Sequence, residues 1–442
     1  MTPPAELFLP LRWYQWPRTP APGFAGGVIM PSGLSRDELL RRIVRQGTRS
    51  AYPRRVLFDP QLYLCEIDVE RSRKVAANLE TYPWFTDSPA PPLVSGPTAG
   101  KSRATARKDW KENRKKSLHT RWRRSTPSAD IAVESAVRAA VEFQQQLGVE
   151  RLILPAPMTR SISTSGAVEG LWADIGLREA ARLGQRETAA VTLALSDHLF
   201  VASRGDADRA VGVLLDTITA RQPGGVYLIL EQANDDAYYP SRSLTVDIVF
   251  TMVQGLVEAG IPWVCVGWTG VLGLIALGLG ANACVTGWRR SERRFSYRDL
   301  EDSRGLAYPA YYSHRLLAEL DLRDDLFNAT RAGFLSRIED ETPASLDLVA
   351  ALRRGQKPDA VPAWSPTRSN VPASIEHFNL ALGRETLLLQ RADLAQRAAI
   401  VGGWLAEAEI LASDLAAKLA ERHDRTELKH QTIWRSAFER IK

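Results

Sequence analysis

Cysteine is scarce in this 442-residue chain: Cys65, Cys265 and Cys284 are the only three. They are too few and too scattered for a disulfide framework, and two stand inside apolar runs, as reduced thiols in a cytoplasmic protein would. The absence of a Cys-x-x-Cys pair excludes a cysteine-built structural zinc site. No His-Glu-x-x-His occurs, no Ser-His-Asp order stands out, and no Gly-x-Gly-x-x-Gly follows an apolar run, so the common metalloprotease, triad-hydrolase and dinucleotide signatures are missing. No cofactor or metal is expected. Met1–Pro10 has no cationic region followed by an apolar core, the mark of a secretion signal. One stretch, Ile261–Val285, is long and apolar enough to suggest a membrane span. Pro262, five glycines and Asn282 break it, so a strand, a short buried helix and a second strand are expected there and no membrane partner.

Charge is present but unevenly placed. The net charge is +6, yet residues 101–124 hold eleven basic residues against Asp109 and Glu112, a local +9 that leaves the rest of the chain at −3. The basic residues are Lys101, Arg103, Arg107, Lys108, Lys111, Arg114, Lys115, Lys116, Arg121, Arg123 and Arg124, with Trp110 and Trp122 among them. Cations that hold phosphates beside rings that stack on unpaired bases suit DNA or RNA. A solvated loop pinned by its tryptophans is the alternative. Pro- and Ser-rich flanks mark the segment, about 88–128, as an insertion. Within it, Gly96-Pro97-Thr98-Ala99-Gly100-Lys101-Ser102 has one residue too few between its glycines for a P-loop and no strand before it.

The middle of the chain alternates apolar runs with helical periodicity, the pattern of a parallel sheet with crossover helices. Strands are predicted at Gly27–Pro31, Arg55–Asp59, Arg151–Pro155, Ala189–Ser196, Val226–Glu231, Trp263–Gly267 and Ala283–Gly287, with an eighth at Leu306–Tyr311. Helices are predicted at Arg36–Gln46, capped by Ser35 with Glu38, and at Ile131–Leu147, Ala207–Ala220, Ser243–Ala259 and Val271–Leu279. This is an α/β chain, and the number of units favours a (β/α)8-like parallel barrel over residues 1–312. His314–Phe327 and Asn328–Ile338 read as helices, and Ile375–Lys442 as a long helical tract. The region 313–442 is thus expected to be a helical tail packed on the barrel, or a surface for a protein partner or second copy.

Chemistry in such a barrel sits at the C-terminal strand ends. These offer Asp59, Glu231 and Asp197 as catalytic carboxylates, with capping or solvated roles as alternatives for each. Trp268 is placed to stack on a planar ligand or to lid the core. Arg289, Arg290, Arg293 and Arg294 follow the seventh run and suit phosphate or carboxylate recognition.

Val264-Cys265-Val266-Gly267-Trp268-Thr269-Gly270, with Leu274, Gly280, Cys284-Val285 and Arg289, resembles the late strand–helix–strand unit of tRNA-guanine transglycosylases. That resemblance covers about thirty residues. It implies a related barrel and a nucleic-acid partner. The family's nucleophilic aspartate precedes Cys-Val, where this chain has Ala283, and its cysteine-rich zinc site has no counterpart. The expected function is therefore a nucleic-acid-associated barrel acting on a base or nucleotide by carboxylate acid–base chemistry. The alternatives are a small-molecule enzyme with an anionic substrate and a non-catalytic assembly subunit.

Overall fold

A computed structural model describes residues 4–11, 22–46, 55–85, 130–160, 162, 166–200, 203–234, 239–302, 308–367, 370–420 and 428–442. The insertion with its basic residues and Trp110 and Trp122 lies outside the described residues.

Eight parallel strands close into a barrel in sequence order. They are β1 (Glu6–Leu11), β2 (Phe24–Ile29), β3 (Arg55–Phe58), β4 (Leu152–Leu154), β5 (Ala189–Ser196), β6 (Gly225–Glu231), β7 (Val264–Gly267) and β8 (Ala283–Val285). Every residue of β4 to β8 is buried, because helices cover the outer face and side chains fill the interior. The covering helices are α1 (Arg36–Gln46), α2 (Arg73–Leu79), α3 (Asp130–Leu147), α4 (Ala167–Arg182), α5 (Arg204–Thr219), α6 (Ser243–Glu258) and α7 (Leu272–Gly278). Glu38 donates its backbone N–H to Ser35 Oγ at 3.4 Å, the expected cap of α1. The apolar run before Val285 folds as predicted into β7, α7 and β8, and no described helix is long and apolar enough to cross a membrane.

The eighth strand is not at Leu306–Tyr311. It is β1, whose Glu6, Leu7 and Phe8 pair with Ala283, Cys284 and Val285 to close the ring. Tyr311 instead belongs to β9 (Ala310–Ser313), which forms an antiparallel hairpin with β10 (Ala318–Asp321). That hairpin also replaces the first half of the helix expected at His314–Phe327. Leu317, with φ +49°, makes the turn.

Past α8 (Arg290–Arg293) and the hairpin come α9 (Phe327–Arg331), α10 (Leu335–Ile338), α11 (Leu346–Arg353), α12 (Val371–Gln390), α13 (Leu394–Ala420) and α14 (His430–Ile441). Gly333, at φ +77°, separates α9 from α10 where one helix was expected. The tail helices pack on the barrel through specific contacts. Trp434 of α14 donates to the Pro240 carbonyl at 2.8 Å, and within the tail Gln431 donates to the carbonyl of Leu316, in the β9–β10 turn, at 2.8 Å. Gly383 of α12 meets the chain entering β2 so closely that a Cβ there would stand 1.9 Å from the Pro22 carbonyl oxygen.

Candidate active site

The strands converge on one mouth, and the acids predicted at their ends are all buried there, though in different company. Asp59 follows β3 and is 1% exposed. Its carboxylate accepts from the Gln61 backbone N–H at 2.9 Å, the Tyr63 hydroxyl at 2.6 Å and the Tyr227 hydroxyl at 3.3 Å. Burial raises its pKa to about 6, while those three donors pull the other way. Tyr227 reaches Asp59 from β6 because residue 267 is glycine: a Cβ there would lie 2.6 Å from the tyrosine oxygen.

Tyr63 closes the barrel above Asp59. Its oxygen accepts the Trp268 indole N–H at 3.0 Å, and its ring packs edge-on to Phe295, with centroids 5.2 Å apart. Trp268 is 2% exposed and also packs on Phe295, so it lids the core, the second of its two predicted roles. Gln61 and Trp268 both hold left-handed backbone, at φ +54° and +61°. Such strain in residues with a Cβ persists only where surrounding contacts over-determine it. Here both residues bond to the Asp59–Tyr63 pair.

The other acid at the mouth is Glu231, at the end of β6. Burial raises its pKa, while the Ser196 hydroxyl and the Arg160 guanidinium lower it. Arg160 is the organising residue. Its Nη1 lies 3.1 Å from Glu231 Oε2 and 3.4 Å from Ser196 Oγ, its Nε donates to Glu66 at 2.6 Å, and its guanidinium lies 5.3 Å from the Tyr297 ring centre. Tyr297 in turn donates its hydroxyl to the Tyr63 carbonyl. A continuous set of contacts thus runs from Glu231 through Arg160, Tyr297 and Tyr63 to Asp59.

Arg160, Glu66, Tyr63 and Tyr297 were not singled out from sequence. Arg160 lies six residues beyond β4, and it reaches the mouth because Thr159 pairs with β5: its N–H meets the Ala194 carbonyl at 2.8 Å and its carbonyl takes the Ser196 N–H at 3.0 Å. The only local signal was an arginine following a Pro-Ala-Pro turn after a short apolar run.

Asp197 is a clamp between loops. It accepts from the backbone and side-chain nitrogens of Asn234, both at 2.9 Å, and Ser203, rather than Asp197, caps the next helix. The arginine run divides. Arg289 is exposed beside Glu292, and Arg290 begins α8. Arg293 is buried, grips Glu319 with both terminal nitrogens and lies 4.3 Å from the Phe378 ring centre. Arg294 is buried and donates to Asp299 at 2.8 Å. Both serve to pin the 287–296 segment over the mouth, where Gln232 also donates to the Phe295 carbonyl at 2.8 Å. Ala283 opens β8 opposite Glu6, at the end of the barrel away from these groups.

Among the described residues no group of three or more His, Cys, Asp or Glu is arranged to hold a metal ion. No family model, curated protein or solved structure matches this chain.

Proposed function

We propose that the protein is a nucleic-acid-associated barrel enzyme that acts on a base or nucleotide through carboxylate acid–base chemistry, with Glu231 as the acid–base group. The observation that carries this reading is the Glu231–Arg160 pair: a buried carboxyl of raised pKa beside a cation whose side chain is 35% exposed at the mouth. Burial disfavours the ionised carboxyl and so favours its holding a proton, while the adjoining cation steadies the ionised form. Asp59 lies beneath Tyr63 and acts through it, as a positioning residue.

The nucleic-acid partner is supported by charge and by topology. In the sequence the +9 segment lies between the described residues 85 and 130. On one side, Trp84 bonds the carbonyl of Pro60, just past β3. On the other, α3 must start at the mouth to run antiparallel back to the entry of β4. The alternative of an anionic small substrate meets an Arg160 guanidinium already paired with two carboxylates, Glu66 and Glu231. The assembly-subunit alternative does not account for an ordered polar network there.

The test is binding of the full chain to single-stranded and duplex DNA and RNA across a salt series, together with base release or exchange on the same oligonucleotides. Affinity should fall steeply with salt, and reversing Lys108, Lys111, Arg114 and Lys115 to Glu should remove it. Glu231→Gln should leave binding intact and lower turnover by about 10²- to 10⁴-fold. Binding unchanged by charge reversal would sink the nucleic-acid reading.

A further inference from the structure

The Glu231–Arg160 pair leaves two hydrogen-bonding positions open side by side. Oε2 of Glu231 is buried, and although it lies 3.1 Å from Arg160 Nη1 it accepts no aligned hydrogen bond. An acceptor withdrawn from water in this way gains from an aligned donor. On the other side, Arg160 commits Nε to Glu66 and Nη1 to Ser196 and Glu231, while Nη2 has no partner among the described residues. A carboxylate oxygen that is ion-paired but accepts no aligned hydrogen bond thus adjoins a guanidinium nitrogen with no partner among the described residues, and the ring of Tyr297 flanks the guanidinium.

We propose that this pair recognises the donor–acceptor edge of a planar amide, an N–H next to a C=O as in a ring lactam. The N–H is given to Glu231 Oε2 and the carbonyl oxygen is taken by Arg160 Nη2. The inference rests on the mouth being the substrate site. It narrows the substrate to a group that is uncharged at this edge. The rim acids oppose a phosphate or carboxylate there, and any phosphates of the substrate stay outside the mouth.

The experiment is ligand-observed NMR titration of the full chain with three fragments: 2-pyridone, N-methyl-2-pyridone and pyridine-2-carboxylate. The expected result is saturable binding of 2-pyridone, at least tenfold weaker binding of the N-methyl compound, which lacks the N–H, and weaker binding still of the carboxylate. Arg160→Met and Glu231→Ala should each weaken 2-pyridone at least tenfold, with the circular dichroism and melting temperature reporting that the barrel is intact. Should either variant fail to fold, Glu231→Gln replaces it, and loss of the preference for 2-pyridone over its N-methyl analogue is then the supporting result. Equal binding of the three fragments, preference for the carboxylate, or no saturable binding of 2-pyridone would overturn the proposal. If that happens while Glu231→Gln still abolishes turnover on nucleic acid, the acid–base reading stands and only the recognition of the amide edge falls.

Discussion

Each buried acid at the mouth is defined by the donors around it, and a single hydroxyl shows how. Tyr63 gives Asp59 its shortest hydrogen bond, at 2.6 Å, and it opposes the burial that lifts this carboxyl to about pH 6. Tyr63→Phe removes that donor, and with it the oxygen that accepts the Trp268 N–H. The Asp59 pKa should then rise above 6, as read from ¹³C-labelled aspartate carboxyl shifts, and stability should fall by about 1–3 kcal/mol, the cost of a buried polar group left unpaired. A pKa that stays near 6 would show that Tyr63 is not the controlling donor. At this scale much of the site was legible. Asp59, Glu231, Asp197 and Trp268 lie at the strand ends, as the apolar runs indicated. Arg160, Tyr63 and Tyr297 were hidden because backbone pairing and ring contacts between distant segments bring them in. The ion pair of Arg293 was hidden in the same way, since Glu319 lies in a later segment, whereas the partner of Arg294, Asp299, stands five residues on.

Among the elements, helix α12 is fixed by a close approach that only glycine allows. Gly383→Ala sets a Cβ 1.9 Å from the Pro22 carbonyl, a backbone atom that cannot swing aside. Forced overpacking should cost about 3 kcal/mol, seen as a lower melting temperature. The control is Gly403→Ala on α13, where an added Cβ meets nothing within 4 Å and lies on an exposed face. It should stabilise by about 1 kcal/mol through helix propensity alone. If the two variants melt together, the α12–β2 contact does not constrain the fold. Elements with a strong local signature were read correctly from sequence: the all-buried runs of β5 and β6, the Gly/Pro stops after α5 and α6, and the broken apolar stretch of β7, α7 and β8. β1 was missed because Glu6–Leu11 contains Pro10, and its partners β2 and β8 supply the pairing that its own sequence does not advertise. Of the hairpin, the start of β9 fell in the strand expected at Leu306–Tyr311, but β10 was read as helix because no Asn-Gly or Asp-Gly turn marks the pairing of the two.

For the whole molecule, the docking of the tail is sensitive to pH. His430 of α14 stacks on Tyr239 at 4.4 Å between ring centres and donates Nε2–H to the Leu317 carbonyl at 3.2 Å. Burial lowers its pKa from 6.5 to about 4. The unfolded chain therefore takes up the proton first, so this residue's destabilising effect grows as pH falls from about 6.5 to about 4 and reaches about 3 kcal/mol. His430→Gln should flatten the melting temperature across that window relative to the unaltered protein; parallel curves would rule the residue out. His314 acts in the opposite sense. The Glu385 carboxylate, 2.9 Å away, raises its pKa against the effect of burial, so its stabilising contribution is complete below about 6.5 and fades as pH rises through the raised value. The closure of the ring also governs how the chain is made. The seam joins Leu7 to Cys284, so a ribosome must build everything between them before the first strand can meet its second neighbour. Until then β1 presents an unpaired edge, the kind of surface on which nascent chains join one another. Barrel formation is thus a late, long-range event, and the yield of soluble protein should depend on how long that edge waits.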